Sequence, residues 1–254
     1  MIRFEKVTKR LGGRTVLDEV DLVIERNETF VIVGSSGAGK SVSLKHMVRL
    51  LTPDSGQVWI GDDLVSEATG RDLEKIRSRF GLLFQGAALL EWLNVGDNVG
   101  LPLRERTTMD DHAIDRLAVE KLKLVHLENV FDKNPSDLSG GMRKRVGLAR
   151  AIITNPEIIL YDEPTSGLDP VTSRTIDRLI DSLRRELGVT SVVVTHDLHS
   201  ALAIATRIAM LHEGHIVEVA PPADFIKSKN ETVQSFLEAQ YITKRGSWEE
   251  DMPS

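Results

Sequence analysis

The chain has 254 residues, 41% of them hydrophobic and 28% charged, which suffices for a sizeable buried core. Its lack of cysteine excludes disulfides and thiolate metal ligands, and its net charge of −6, with no basic stripe among aromatics, argues against nucleic acid. No apolar run approaches the ~20 residues that span a bilayer, and Met1 to Val7 lacks the apolar stretch of a secretory leader, so a cytoplasmic protein is expected, with any membrane role supplied by a partner chain.

Ile2 to Val7 and Val16 to Ile24 alternate apolar and polar residues, the pattern of antiparallel strands with one wet face. Thr29-Phe30-Val31-Ile32-Val33 is a continuous β-branched and aromatic run, as in a strand buried on both faces. A glycine-rich segment follows, and Val42 to Leu51 reads as a helix. Pro53-Asp54-Ser55-Gly56 reads as a turn and Gln57 to Ile60 as a strand. Residues from about 87 to 157 read as mostly helical, with Ile114, Leu117, Ala118 and Leu122 on one helix face. Glu157 to Tyr161 is again a buried strand. Ile176, Leu179, Ile180, Leu183 and Leu187 line one face of a helix that Gly188 ends, and Thr190 to Thr195 is the next buried strand. This alternation predicts an α/β fold with a mainly parallel sheet, an antiparallel N-terminal β subdomain and a helical subdomain near 87–157. One domain is expected over 1–240, with a polar tail over 241–254.

Gly34-Ser35-Ser36-Gly37-Ala38-Gly39-Lys40-Ser41 has the pattern of a phosphate-binding loop, with the strand before it and the helix after it that such a loop requires. Its glycines let successive N–H groups turn inward onto phosphate oxygens, and the following helix directs its positive end to the same place. Lys40 suits the β- and γ-phosphates and Ser41 suits Mg²⁺. Kinases, GTPases and transport ATPases all carry such a loop, so it defines a P-loop NTPase and no more. Asp162-Glu163 stands at the carboxyl end of a buried strand, where open parallel sheets bind ligands. Asp162 there suits Mg²⁺, directly or through water, and Glu163 suits the orientation and deprotonation of an attacking water. Ser139-Gly140-Gly141 precedes a helix running from about Met142 to Thr154. Ser139 is a candidate cap, and the glycines leave the first N–H groups open to an anion.

In this order and spacing the motifs resemble those of the nucleotide-binding subunits of ABC transporters, over nearly the whole chain. The resemblance implies a RecA-like P-loop NTPase with ATP and Mg²⁺ held between two copies of the chain, a homodimer, and with Ser139, Gly140 and Gly141 contacting the γ-phosphate on the opposite copy. It makes Gln85, in Leu83-Phe84-Gln85, the glutamine that senses Mg²⁺ and the permease. Ser166-Gly167-Leu168-Asp169 becomes the loop that crosses the dimer interface, and His196 the switch histidine at the γ-phosphate. The implied catalytic set is Glu163, His196, Gln85 and Lys40, and the implied metal set is Ser41, Gln85 and Asp162. The nucleotide contacts are Gly34, Ser35, Ser36, Gly37, Ala38, Gly39, Lys40 and Ser41 of the loop, with Leu11 and Val16 on the strands before it. Leu11 stands where the family commonly stacks an aromatic residue on adenine, and Met142 where glutamine is more usual.

Phe84 to Leu90, Asn94 to Val99, Pro102 to Glu105, and Leu138 to Met142 with Arg143, Lys144 and Arg145 after it resemble the MlaF-type ATPases of Mla phospholipid transporters. That implies an MlaE-like integral membrane permease and an MCE-domain lipid-binding protein as partners, no nucleic acid, and a place on the inner face of the inner membrane. The alternatives are an ABC ATPase for an amino acid or a lipoprotein, or a membrane regulator that transports nothing. A small-molecule kinase would leave Ser139 to Gly141 and Gln85 without purpose. Arg143, Lys144 and Arg145 are expected on a solvated helix face, with one of the three near the phosphates. Ala87, Ala88, Leu89, Leu90 and Trp92 divide between core and a groove for a permease helix, and Trp248 is a candidate anchor of the tail on a neighbouring subunit.

Overall fold

A computed structural model describes residues 2–240, in two compact units. The first unit is drawn from residues up to 68 and from 194 onward, the second from residues 69–193. The tail expected over 241–254, with Trp248, lies outside the described residues.

In the first unit β1 (Ile2–Leu11) and β2 (Arg14–Ile24) pair antiparallel. Their alternation buries Ile2, Phe4, Val7, Leu17, Val20, Leu22 and Ile24 on one side. The register shifts between Phe4 and Val7, where Lys6 takes a φ of 47°, so the period of two is reset by a bulge. β3 (Thr29–Val33) is buried at every residue. α1 (Lys40–Met47) occupies a shorter span than the Val42 to Leu51 read from sequence. It stops because Arg49 turns into the left-handed region (φ 50°) and the N–H groups of Leu50 and Leu51 both fold back onto the Lys45 carbonyl. β4 (Ser55–Ile60) takes in Ser55 and Gly56, which the sequence assigns to a turn. Pairing with β1 (Thr8 opposite Ser55, Phe4 opposite Val58) extends the strand backward, and the Asp54 carboxylate secures the corner by accepting from Lys9 Nζ (2.9 Å) and Arg10 N (2.6 Å). β5 (Asp63–Leu64) completes an antiparallel sheet ordered β2-β1-β4-β5.

The second unit holds α2 (Gly70–Ser78), β6 (Phe80–Leu83), α3 (Val95–Arg106), α4 (Asp111–Leu124), α5 (Gly140–Ile152), β7 (Ile158–Asp162) and α6 (Pro170–Leu187), and the chain leaves it within β8 (Thr190–Thr195). β6 runs parallel to β7, from Phe80 opposite Ile158 to Leu83 opposite Tyr161. α3, α4 and α6 start on a side-chain cap: Asn94 accepts from Asp97 N (2.7 Å), Asp110 from Ala113 N (3.1 Å) and Asp169 from Val171 N and Thr172 N (both 3.0 Å), whereas Thr69 before α2 makes no capping bond. Ile114, Ala118 and Leu122 of α4 and Ile176, Leu179, Ile180 and Leu183 of α6 are buried, as their spacing predicts, and Gly188 closes α6 in the left-handed conformation. Residues 87–94 contain no helix. The wholly buried Asn98 side chain holds this stretch instead, donating to the carbonyls of Leu90, Leu93 and Asn94 (each 3.0 Å) and accepting from Leu90 N (2.8 Å). α5 packs on β6 almost backbone to backbone: a Cβ on Gly81 would lie 2.1 Å from the Ala151 carbonyl oxygen, and one on Gly147 2.9 Å from Leu83 Cδ1.

The first unit resumes with α7 (Leu198–Ile204), β9 (Arg207–His212), β10 (His215–Ala220), α8 (Pro222–Phe225) and α9 (Glu231–Glu238), none of which the sequence reading assigns. β9 lies parallel to β3 (Val31 opposite Ile208) and antiparallel to β10. The β3–β9 pair is fastened at one end by Arg207, which donates to both Glu28 carboxylate oxygens (2.6 and 2.9 Å) and lies over the Phe30 ring.

The contact of α5 with β6 sets one expectation. Gly81→Ala forces a methyl into the Ala151 carbonyl and costs about 1–3 kcal/mol of stability, the range for overpacking a close-packed core. Urea unfolding of the two proteins measures it, and an unchanged midpoint would refute the close approach.

Candidate functional site

In the first unit the glycine-rich loop joins β3 to α1. Its shape depends on two close backbone approaches. A Cβ on Gly34 would sit 2.3 Å from the Leu211 carbonyl oxygen, and Gly39 takes a φ of 105° with a Cβ position 2.8 Å from the Val16 carbonyl oxygen. Val16 thus underlies the loop, while Leu11 ends β1 as an exposed residue. Lys40 is buried, and its Nζ donates to the carbonyls of Gly34 (2.8 Å) and Ser35 (3.0 Å). Gly39, the residue before α1, has no side chain with which to cap the helix. A buried cation beside a helix start without a side-chain cap is suited to an anionic ligand, so the loop fits the triphosphate of a nucleotide with its metal ion.

His196 follows β8 as an exposed residue. Its carbonyl accepts from Gln240 Nε2 (2.8 Å), and Gln240 Oε1 accepts from Leu198 N (2.8 Å). Gln240, just past α9, therefore brackets the backbone of the histidine turn. No local pattern in the sequence signals this, because the partners lie far apart in the chain. A cavity of about 460 Å³ opens beside Ser35, between Met210 and His212 of β9 and Phe236 of α9. Of the loop residues Ser35 lines it, beside the cradle that Lys40 shapes.

The second unit carries Gln85, Ser139 to Gly141, Asp162 and Glu163. β7 is buried through Tyr161 and delivers Asp162 and Glu163, both half-buried, at its carboxyl end. Glu163 takes a φ of 48°, unusual for a residue with a Cβ, and its carbonyl accepts from Ser166 N (3.2 Å). Gln85 is exposed, with its Nε2 3.5 Å from Ser166 Oγ. Ser139 caps α5 by accepting from Met142 N (3.3 Å), so the helix begins at Gly140, two positions before the start read from sequence. A Cβ on Gly141 would lie 2.4 Å from Thr172 Cγ2, so this segment packs directly on the start of α6. Hydrogen bonds from Thr172 hold the Asp169 carboxyl below its ordinary pKa.

Of Arg143, Lys144 and Arg145, read from sequence as a solvated helix face with one residue turned toward the phosphates, the outer two are half-buried and the middle one is buried. Lys144 is 5% exposed and donates to the carbonyls of Gln85 and Glu163, the latter at 3.0 Å. Burial lowers its pKa, and the nearby carboxylates of Asp162 and Glu163 oppose that shift. Arg143 pairs with Glu91 and donates to the Pro135 carbonyl (3.0 Å), and Arg145 donates to the His126 carbonyl (2.8 Å). Around Gln85, Ala87 and Leu89 are buried, whereas Phe84 and Trp92 are exposed, Trp92 by 78%.

The strand–loop–helix carrying Lys40 and the strand end carrying Asp162 and Glu163 define an α/β nucleotide-binding cassette. The sequence matches the ABC transporter family over residues 17–166. It is 39% identical to the probable ribonucleotide transport ATP-binding protein mkl of Mycobacterium leprae, over 98% of this chain and 72% of that protein. It is 38% identical to the methionine import ATP-binding protein MetN of Xanthomonas euvesicatoria, over 95% of this chain and 74% of that protein. Among solved structures, the ATP-binding cassette MJ0796, in a dimeric post-hydrolysis state bound to ADP and Pi, superposes with a TM-score of 0.80 at 36% identity, covering 87% of this chain and 99% of that one. The chain belongs to the ABC transporter family. It is an ATP-binding subunit with the ABC ATPase fold, an ATPase that works on ATP with Mg²⁺.

Replacing Lys40 tests the loop. Lys40→Ala removes two charge-assisted bonds that shape the cradle together with the cation itself. Each such bond is worth about 1.5–3 kcal/mol, so ATP affinity is expected to fall at least about tenfold. Titration calorimetry measures this, and an affinity within about twofold of wild type would argue against the role of Lys40.

Proposed function

We propose that the chain hydrolyses ATP at a site shared between two copies and that this cycle drives phospholipid transport through a separate permease. Each ATP lies between the phosphate loop of one copy and Ser139, Gly140 and Gly141 of the other. The observation that carries this reading is Ser139 at the start of α5: a capped, glycine-led helix end, exposed at Ser139 and Gly140, with its shape fixed by packing on α6. The dimer of the cassette MJ0796 supports the pairing by similarity.

In the proposed reaction Glu163 accepts a proton from water as the water oxygen bonds to the γ-phosphorus and the bond to the ADP oxygen breaks. Lys40 and the loop N–H groups neutralise charge on the phosphates, and His196 completes the γ-phosphate shell. Ser41, Asp162 and Gln85 would hold Mg²⁺, which supplies further charge neutralisation when bound. Leu11 and Val16 supply apolar contact on the adenine side, Leu11 without a π face.

The permease is proposed to seat a short helix by Gln85, with exposed Trp92 and Phe84 as its apolar contacts. Such a partner would hold the chain on the inner face of the inner membrane. Among the described residues no helix is long and apolar enough to cross a membrane. The phospholipid reading, with an MlaE-like permease and an MCE-domain protein, rests on the stretches from Phe84 to Glu105 and from Leu138 to Arg145. A second reading, an importer of a small polar solute, is favoured by the relatives named for ribonucleotide transport and methionine import.

Three outcomes test these proposals. Glu163→Gln is expected to retain ATP and accumulate as a dimer in size-exclusion chromatography with light scattering; an ATP-bound monomer would overturn the shared site. Ser139→Arg is expected to lower kcat at least about a hundredfold with ATP affinity intact, because the lost contact belongs to the partner's nucleotide; unchanged turnover would dismiss Ser139. Purified from its native membrane in mild detergent, the chain is expected to bring a permease, an MCE-domain chain and bound phospholipid, identified by mass spectrometry. A solute-binding protein in their place would decide for the second reading.

A further inference from the structure

β6 and β7 run side by side as far as Leu83 and Tyr161. Beyond that pair both chains leave the ladder, one toward Gln85 and the other through Asp162 to Glu163. A third element joins the two departures. Lys144, on the second turn of α5, donates from one Nζ to the main-chain carbonyls of Gln85 and of Glu163. The ammonium of a buried lysine needs such acceptors, since burial without them is costly. The carbonyls in turn belong to segments without regular structure: Glu163 has a φ of 48°, and Ala87 and Ala88 have φ values of 60° and 47°. The same helix holds the far side of the glutamine loop, because Arg150 donates to the carbonyls of Ala87 (2.5 Å) and Ala88 (2.7 Å). Between the two cations Gly147 leaves room for the loop, its Cβ position being 3.2 Å from Ala87 Cβ.

We propose that Lys144 is a positioning residue for hydrolysis. By holding the carbonyls of Gln85 and Glu163 on one ammonium, it fixes the backbone that aims the Glu163 carboxylate and ties that aim to the glutamine loop. A displacement of the loop is then felt at Glu163 through a single side chain, and the helix that transmits it is the one Ser139 begins. This inference rests on Glu163 as the base, proposed above.

Lys144→Met keeps the apolar stem and removes the donors. In the full chain kcat is expected to fall at least about tenfold, as for a misaimed catalytic group. KM and the affinity for a non-hydrolysable ATP analogue stay within about threefold. Lys144→Arg, which returns charged donors, recovers part of kcat. A Met variant that turns over within about twofold of wild type, or loses only in KM, overturns the proposal, and so does an Arg variant no better than Met. Should the Met variant not fold, the wild-type protein carries the test by nitrogen-15 NMR of its lysine ammonium groups. Lys144, assigned by its loss in Lys144→Arg, is expected to give a slowly exchanging signal; exchange as fast as that of surface lysines overturns the tie. Glu163→Gln separates the failures. Full hydrolysis there removes the base and this inference with it, whereas its loss beside full turnover in Lys144→Met removes the tie alone.

Discussion

In each unit a buried lysine ammonium rests on two main-chain carbonyls where a strand gives way to an irregular loop. Lys40 holds Gly34 and Ser35 after β3, and Lys144 holds Gln85 and Glu163 after β6 and β7. The arrangement answers two costs at once. A carbonyl that leaves a sheet ladder inside the protein needs a donor, and a buried ammonium needs acceptors. Each satisfies the other, and because one partner is charged the bonds are stronger than amide pairs. The loops can therefore hold positive φ values without regular structure to stabilise them. Loop geometry here is backbone geometry held by charged side chains.

The parts of this architecture that are local in sequence were readable before any coordinates. β3 and β7 are short apolar runs buried at nearly every residue, and α6 shows an apolar stripe ended by Gly188. The phosphate loop sits between its strand and helix, and Ser139 caps α5 as its hydroxyl and the following glycines suggest. What escaped depends on pairing across the chain. The early start of β4 follows from its register with β1. The hairpin of β9 and β10 is built on β3, far away in sequence. Lys144 shows the difference most sharply. Among Arg143, Lys144 and Arg145 the sequence offers three cations in a row, which is the look of a wet surface. Only the fold reveals that the middle one is directed at two carbonyls while its neighbours serve Glu91, Pro135 and His126.

Gln240 extends the same logic to the histidine turn. Its amide both donates to the His196 carbonyl and accepts from Leu198 N, so a residue past the last described helix braces the approach to α7. With Lys40, Lys144 and Gln240, three side chains act on loop backbone at four of the segments proposed to meet ATP. None of these contacts depends on the nucleotide base.

That division accounts for the pattern of relatives. Proteins named for ribonucleotide transport and for methionine import match this chain at 39% and 38% identity. Nearly equal likeness to differently named transporters is expected when the matching residues serve ATP and the main-chain frame around it. On the proposed assembly the cargo never meets this chain, so the residues that distinguish one system from another should lie where a partner docks. The exposed Trp92, three-quarters open to solvent next to a glutamine loop otherwise held by α5, has the character of such a residue: on the proposed assembly a permease helix covers its indole.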